Sequence, residues 1–493
     1  MKRKLLTALL CGALMLTSLA GCGQGAENQS GTSAGSESAV KDELVFVNYR
    51  DIRDLNPHLY AGEMYAQSIL YDTLVSNTSE GYVGCLAEDW TISEDGRTYT
   101  FNIRDGVTFS DGTPCDANAI LANFNAILEN RERHTWLEMM NLLVGVSAPD
   151  DDTFVIEMSE PYYPMLTELA CIRPFAMISP NCMIDGSTKD GVNGYIGTGP
   201  YVLTDFVTDE YAVFERNENY WGEKPAIRKI TVKVIPDNQT RIMALENGEI
   251  DLIFGKNMLD ADAISQYVDS DKFTVGLSDP TSTRHIVLNT THDILGDKSV
   301  RQALQHATNR QAISEGIFYG LEPAADTLYS TTVPYCDVDL EPYAYDVDEA
   351  ARLLDEAGWT MGSDGVRAKD GQKLALDLLY NSDSVTEKTI SEYLQSEYLK
   401  LGISLNIHGE EEQSYRDNMK AGNFDMVFNI CWGMPYDPQS SLAAMRAPVY
   451  GDYAAQQGLE DKAEIDQAIT DILTSTDETK RQELYTFVLT RLH

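Results

Sequence analysis

A chain of 493 residues is long enough for two or three domains around a large core. Its 77 acidic and 37 basic side chains leave a formal net charge of −40, which argues against nucleic acid because phosphates would be repelled. An acidic balance is compatible with a cationic ligand, but solubility alone accounts for it.

Lys2, Arg3 and Lys4 form a charged start, and residues 5–16 an apolar stretch of signal-peptide length, too short to span a bilayer. Leu19-Ala20-Gly21-Cys22 follows. Small residues with a Cys directly after them resemble a bacterial lipobox, which implies a signal peptide over residues 1–21 and lipidation of Cys22. A multiply acylated Cys anchors a protein stably. Residues 23–40 are rich in Gly, Ser, Gln, Asn and Ala, so residues 22–43 are expected to be the lipidated Cys and a flexible linker. No later stretch is apolar enough for a membrane span. The expected location is outside the cytoplasm, anchored to the cell membrane through Cys22, in a periplasm or at the cell surface.

Residues 44–49 read as a strand, and residues 64–74 as a helix with Ile69, Leu70 and Leu74 inward. Residues 90–109 read as hairpins, with Asp95-Gly96, Asp105-Gly106 and Asp111-Gly112 as tight turns. Asp116 can cap a helix running to about Leu128. Strands follow at 153–158 and 227–235, then a helix at 239–246 and a strand at 250–254. The second half alternates: strand 284–288, one long helix 300–318, helix 347–357 ended by Gly358, and strand 374–380. Helix 386–401 ended by Gly402, strands 403–407 and 424–430, and helices 461–473 and 477–492 complete it. This is α/β organisation in at least two lobes, without a repeat of fixed period. The chain stops at His493 inside an amphipathic helix and reads as a fragment. Outside the export segment six cysteines (Cys85, Cys115, Cys171, Cys182, Cys336, Cys431) are scattered without a C-x-x-C, a pattern that argues against a zinc site. A Cys171–Cys182 disulfide stays open.

The run WTISEDGRTYTFNIR at 90–104, followed by VTFSDGTP at 107–114, resembles the signature of the family 5 extracellular solute-binding proteins, which bind peptides or nickel for ABC importers. GTGPY at 197–201, RNENYWGEKP at 216–225 and NGEIDL at 247–252 match the same family. The resemblance covers residues 44–493 and comes nearest to the nickel-binding members of the family. LNPHLY at 55–60, NRERHTW at 130–136, YYP at 162–164 with RPF at 173–175, WGMPYDP at 432–438 and AQQGL at 455–459 carry that part of it. It implies a two-lobed, periplasmic-binding-protein-like clam of type II, with the ligand enclosed at the hinge. The first lobe is expected over 44–279 with an extra subdomain inserted at about 76–196, and the second over 280–493. The family's closing segment, which returns to the first lobe, is expected to be missing.

Nickel-binding members of the family hold the metal inside an organic chelator, such as a histidine complex or a carboxylate metallophore, whose carboxylates meet protein arginines. Arg173 matches the principal arginine and Arg133 a second. A guanidinium's planar fork suits a carboxylate. Trp136, Trp432, Tyr60, Met64 and Tyr436 match positions that line the pocket, where flat rings and a thioether would form a wall. Tyr450 stands where relatives can place a metal-binding His. A neutral Tyr is a poor nickel ligand, so no direct protein ligand to the metal is expected: either the chelator coordinates it fully or the ligand is a different one. His58 and His134 are expected to be hydrogen-bonded structural residues. No cofactor is expected. The implied partners are an ABC permease and its ATPase, with the binding protein itself a monomer. A peptide-binding member of the family is the alternative, although such proteins use an acidic residue close behind the cleft Trp and here the acid comes only at Asp437. Neither G-x-S-x-G nor H-E-x-x-H is present, so the expected mechanism is capture and domain closure without chemistry.

Overall fold

The computed structural model describes residues 41–78, 81–255, 258–431 and 438–493. The expected signal peptide, Cys22 and the linker up to residue 40 lie outside the described residues, as do Trp432 and Tyr436.

The strand Glu43–Asn48 lies inside a five-stranded sheet. It runs parallel to Lys229–Val234 on one side and to Leu252–Ile253 on the other. Tyr211–Arg216 and Tyr201–Val207 continue the sheet antiparallel. Side chains of period two decide its inner face: Ala212 and Phe214, then Ile230 and Val232, are buried between neighbours that are not. The last strand holds only two residues at the sheet edge, and Phe254 beyond it is exposed.

The expected hairpin forms from Ala87–Ile92 and Thr98–Ile103. Thr153–Met158 and Leu143–Ser147 extend it to four antiparallel strands. Phe101, Phe154 and Ile156 point inward against Ile120, Phe124 and Ile127 of the helix Ala117–Glu129. Asp116 caps that helix, accepting from the Ala119 N–H at 2.9 Å.

A second four-stranded sheet takes the order Arg284–Leu288, Met426–Ile430, Ala375–Asn381, Ser404–Glu410. The helices Val347–Glu356 and Val385–Lys400 contribute to its core, which gathers Leu354, Leu376, Leu378, Leu394, Ile403 and Phe428. Gly358 and Gly402 follow these helices at φ +89° and +78°, the left-handed ending expected of them.

Two helices differ from expectation. The long helix at 300–318 is two, Lys298–Ala307 and Arg310–Phe318. Thr308 between them is extended, and Asn309 caps the second by accepting from the Ala312 N–H at 2.9 Å. Apolar periodicity runs through both pieces and hides the break. The helix expected at 64–74 is Met64–Leu70; Tyr71 is extended and the Leu70 carbonyl accepts from the Gly199 N–H at 3.0 Å. Leu74 is buried in the core of the hairpin sheet instead of on that helix.

Asp42–His493 form one compact unit, in which one core draws on residues from both sides of position 280 and the four others each stay on one side. The largest joins Phe101, Phe124 and Phe154 to Ile465, Ile469, Tyr485 and Leu489 of the helices Lys462–Thr474 and Glu478–Leu492. The Tyr163 N–H donates to the Leu473 carbonyl at 2.8 Å, and the Arg481 guanidinium lies 3.4 Å from the Tyr163 ring centroid. All six cysteines are buried thiols, and Cys171 donates to the Thr167 carbonyl at 3.4 Å. Among the described residues no helix is long and apolar enough to cross a membrane.

Candidate ligand-binding site

Three segments far apart in the chain converge on Tyr60. The first is the loop before the helix Met64–Leu70. Asn56 ties it down, its amide donating to the Thr188 carbonyl at 2.8 Å and its side-chain oxygen accepting from the His58 N–H at 3.1 Å. Gly62 lets the loop close: a Cβ there would sit 2.3 Å from the Asp54 carbonyl oxygen, so no other residue fits without a shift. The second segment is the 3-10 turn Arg131–His134, which follows the helix Ala117–Glu129. Arg131 anchors it by donating to the carbonyls of Met140 at 2.6 Å and Leu143 at 2.7 Å. The third is Ile172–Phe175, where Arg173 has an extended backbone, φ −120° and ψ 122°, while Pro174 and Phe175 are buried.

Arg173 donates through one guanidinium nitrogen to the carbonyls of Tyr60 at 3.0 Å and Gly62 at 3.2 Å. Its central carbon lies 5.8 Å from the Tyr60 ring centroid, within cation–π range. The Trp136 indole N–H donates to the Tyr60 phenol oxygen at 2.8 Å, and that oxygen lies 2.6 Å from His134 Nδ1. The three rings meet edge to face, with centroids 5.5 Å apart for Tyr60–His134 and 6.0 Å for Tyr60–Trp136, as aromatic quadrupoles favour.

Burial pushes the Tyr60 hydroxyl up to about 12, against the opposing pull of the Trp136 hydrogen bond and of the Arg173 and Arg133 charges. Burial lowers His134 to about 4, and the Arg133 charge adds to the effect. Tyr60 and His134 are therefore neutral near pH 7, and the charges in this group belong to two arginines. Arg133 is exposed and, among the described residues, its side chain has no hydrogen-bond or ion-pair partner.

The structure thus brings together Tyr60, Trp136 and Arg173, with Arg133 close enough to act on Tyr60. Met64 stands at the start of its helix, 41% exposed. Tyr450 lines a small cavity with His285, Asn429, Cys431, Met445 and Asp452. Trp432 and Tyr436 lie outside the described residues. His58 is structural, with Nδ1 2.9 Å from the Thr188 hydroxyl and Nε2 3.3 Å from the Ala176 carbonyl. Sequence reasoning missed Gly62 and the contact of His134 with Tyr60. The only signal for His134 was its place between Arg133 and Trp136. Among the described residues no group of three or more His, Cys, Asp or Glu is placed to hold a metal ion.

Residues 81–452 match the family described as bacterial extracellular solute-binding proteins, family 5. The chain belongs to this family. A family 5 solute-binding protein captures a ligand for an ABC permease and ATPase and is not an enzyme, and its fold is the two-lobed one of periplasmic binding proteins. This family 5 protein is 42% identical to the nickel-binding periplasmic protein of Escherichia coli K12, over 92% of its own chain and 88% of the relative. It is 27% identical to the dipeptide-binding protein of the same organism, over 90% of its own chain and 85% of the relative. Among solved structures, NikA from Brucella suis in complex with Fe(III)-EDTA superposes with a TM-score of 0.88 at 45% identity, covering 92% of this chain and 91% of that one.

Proposed function

We propose that this protein is the binding subunit of a nickel importer and takes the metal as a complex with an organic, carboxylate-bearing chelator, such as histidine or a metallophore. The observation that carries the reading is the pair of guanidiniums beside the Tyr60–Trp136 wall. Two permanent positive charges, that of Arg173 held by backbone carbonyls, repel a bare divalent cation and attract the carboxylates around a chelated one. The chain as a whole carries −40, so a cationic corner in it is a selective feature. Similarity to a nickel-binding periplasmic protein supports the metal, and similarity to a structure holding Fe(III)-EDTA, a polycarboxylate chelate, supports the mode of capture.

In this reading Arg173 and Arg133 bind the chelator's carboxylates. Tyr60, Trp136, Trp432, Tyr436, Met64 and Tyr450 wall the pocket. The lobes over 44–279 and 280–493 close on the complex and present it to the permease. A lipid on Cys22 tethers the protein, as a monomer, to the membrane.

Native mass spectrometry of the mature protein tests this. The protein is incubated with nickel alone, with nickel plus histidine, and with a dipeptide mixture. The expected result is a mass increase equal to metal plus histidine, absent with nickel alone. An increase only with dipeptides overturns the chelate reading and moves the protein to the peptide-binding branch of the family.

A further inference from the structure

We propose that His134 is the positioning residue of the ligand site: it acts through Tyr60, holding the aromatic wall and the backbone that aims Arg173, without touching the ligand. This rests on the reading of Tyr60, Trp136 and Arg173 as ligand-binding residues.

The argument begins with the Tyr60 oxygen. An indole N–H can only donate, so the phenol oxygen accepts from Trp136 at 2.8 Å. His134 Nδ1 lies 2.6 Å from the same oxygen. Among the described residues the phenol hydrogen has no other acceptor, so the Tyr60 O–H donates its hydrogen bond to Nδ1. That sets the imidazole tautomer, with its proton on Nε2. Tyr60 is then gripped at two points on its hydroxyl, and its ring direction is fixed along with Trp136. The Tyr60 carbonyl is one of the two that orient Arg173. A chain of contacts therefore runs from His134 to the guanidinium.

A second observation separates this from an ordinary core histidine. His134 is completely buried, yet Nε2 has no hydrogen-bond partner. An unmet polar atom in the interior is unfavourable. A leucine of similar volume would remove that cost, so stability alone does not call for an imidazole here. What the imidazole adds is the acceptor at Nδ1, on the side that faces Tyr60.

Three substitutions test this, with nickel–histidine and Fe(III)-EDTA as probes and titration calorimetry on the full mature chain. His134→Asn places a polar atom near the Nδ1 position, His134→Gln near the Nε2 position, and His134→Leu places none. The expected outcome is that Leu and Gln weaken binding about tenfold, the usual weight of one lost hydrogen bond. Asn should stay within about threefold of the parent. In a Tyr60→Phe background the loss from His134→Leu should vanish, because the hydroxyl through which it acts is gone. Equal affinities for Asn and Gln overturn the proposal, and this comparison stands even if the Leu variant does not fold. An undiminished His134→Leu loss in the Tyr60→Phe background overturns it too. Parent protein that binds neither probe overturns the chelate reading and this inference with it. A parent that binds beside a His134→Leu variant of equal affinity removes only the role of His134.

Discussion

Arg173 shows what a single side chain can contribute. Its guanidinium is aimed by two backbone carbonyls, and those carbonyls sit on a loop that only Gly62 allows to close. A carboxylate meeting that fork in a closed cleft is shielded from water. Arg173→Ala should therefore weaken binding of nickel–histidine by about 2–5 kcal/mol. Arg173→Lys should fall between, since it keeps the charge and loses the planar fork. Calorimetric titration checks both, and an Ala variant with parental affinity would remove Arg173 from the site. Arg133 is exposed, so its alanine variant should lose less.

At the scale of elements, the ends of helices were the least legible feature. Asp116 and the glycines at 358 and 402 were readable because capping chemistry is local. The break at Thr308 was not, although its cap, Asn309, is plain once the backbone is seen. Asn309→Ala should cost about 1 kcal/mol in urea unfolding. The same substitution at Asn406, on the strand Ser404–Glu410 and far from any helix start, serves as the reference. Equal effects at the two positions would deny the capping role. The early end of Met64–Leu70 had no local signal either, because the Gly199 N–H that takes the Leu70 carbonyl comes from a distant part of the chain.

Across the whole molecule, buried ionisable groups tie stability to pH. Glu168 accepts from the Tyr162 hydroxyl at 2.5 Å and the Met139 N–H at 3.1 Å. Its complete burial nevertheless pushes its carboxyl from 4.5 up to about 8. Between those values the folded chain holds a proton that the unfolded chain has released. Stability must then fall as pH rises through that window, by up to about 1.4 kcal/mol per unit from this group. Glu168→Gln removes the titration. Its melting temperature relative to the parent should climb from pH 5 to pH 8, and a gap that does not change with pH would show that Glu168 stays ionised in the fold.

The sequence by itself determined the family, the α/β alternation and about half of the strands, and it singled out the arginine and aromatic residues proposed for a ligand site, because these depend on local periodicity, capping and short motifs. The tertiary structure alone decided which of those residues meet. Tyr60, His134 and Arg173 are separated by 74 and 113 residues from Tyr60 outward. Their contacts exist because buried Leu55, Pro174 and Phe175 and the closed loop at Gly62 fix three backbone segments against one another. It also decided that the helices Lys462–Thr474 and Glu478–Leu492 share a core with the hairpin sheet. An amphipathic helix announces that it has an apolar face, and only packing says what that face covers.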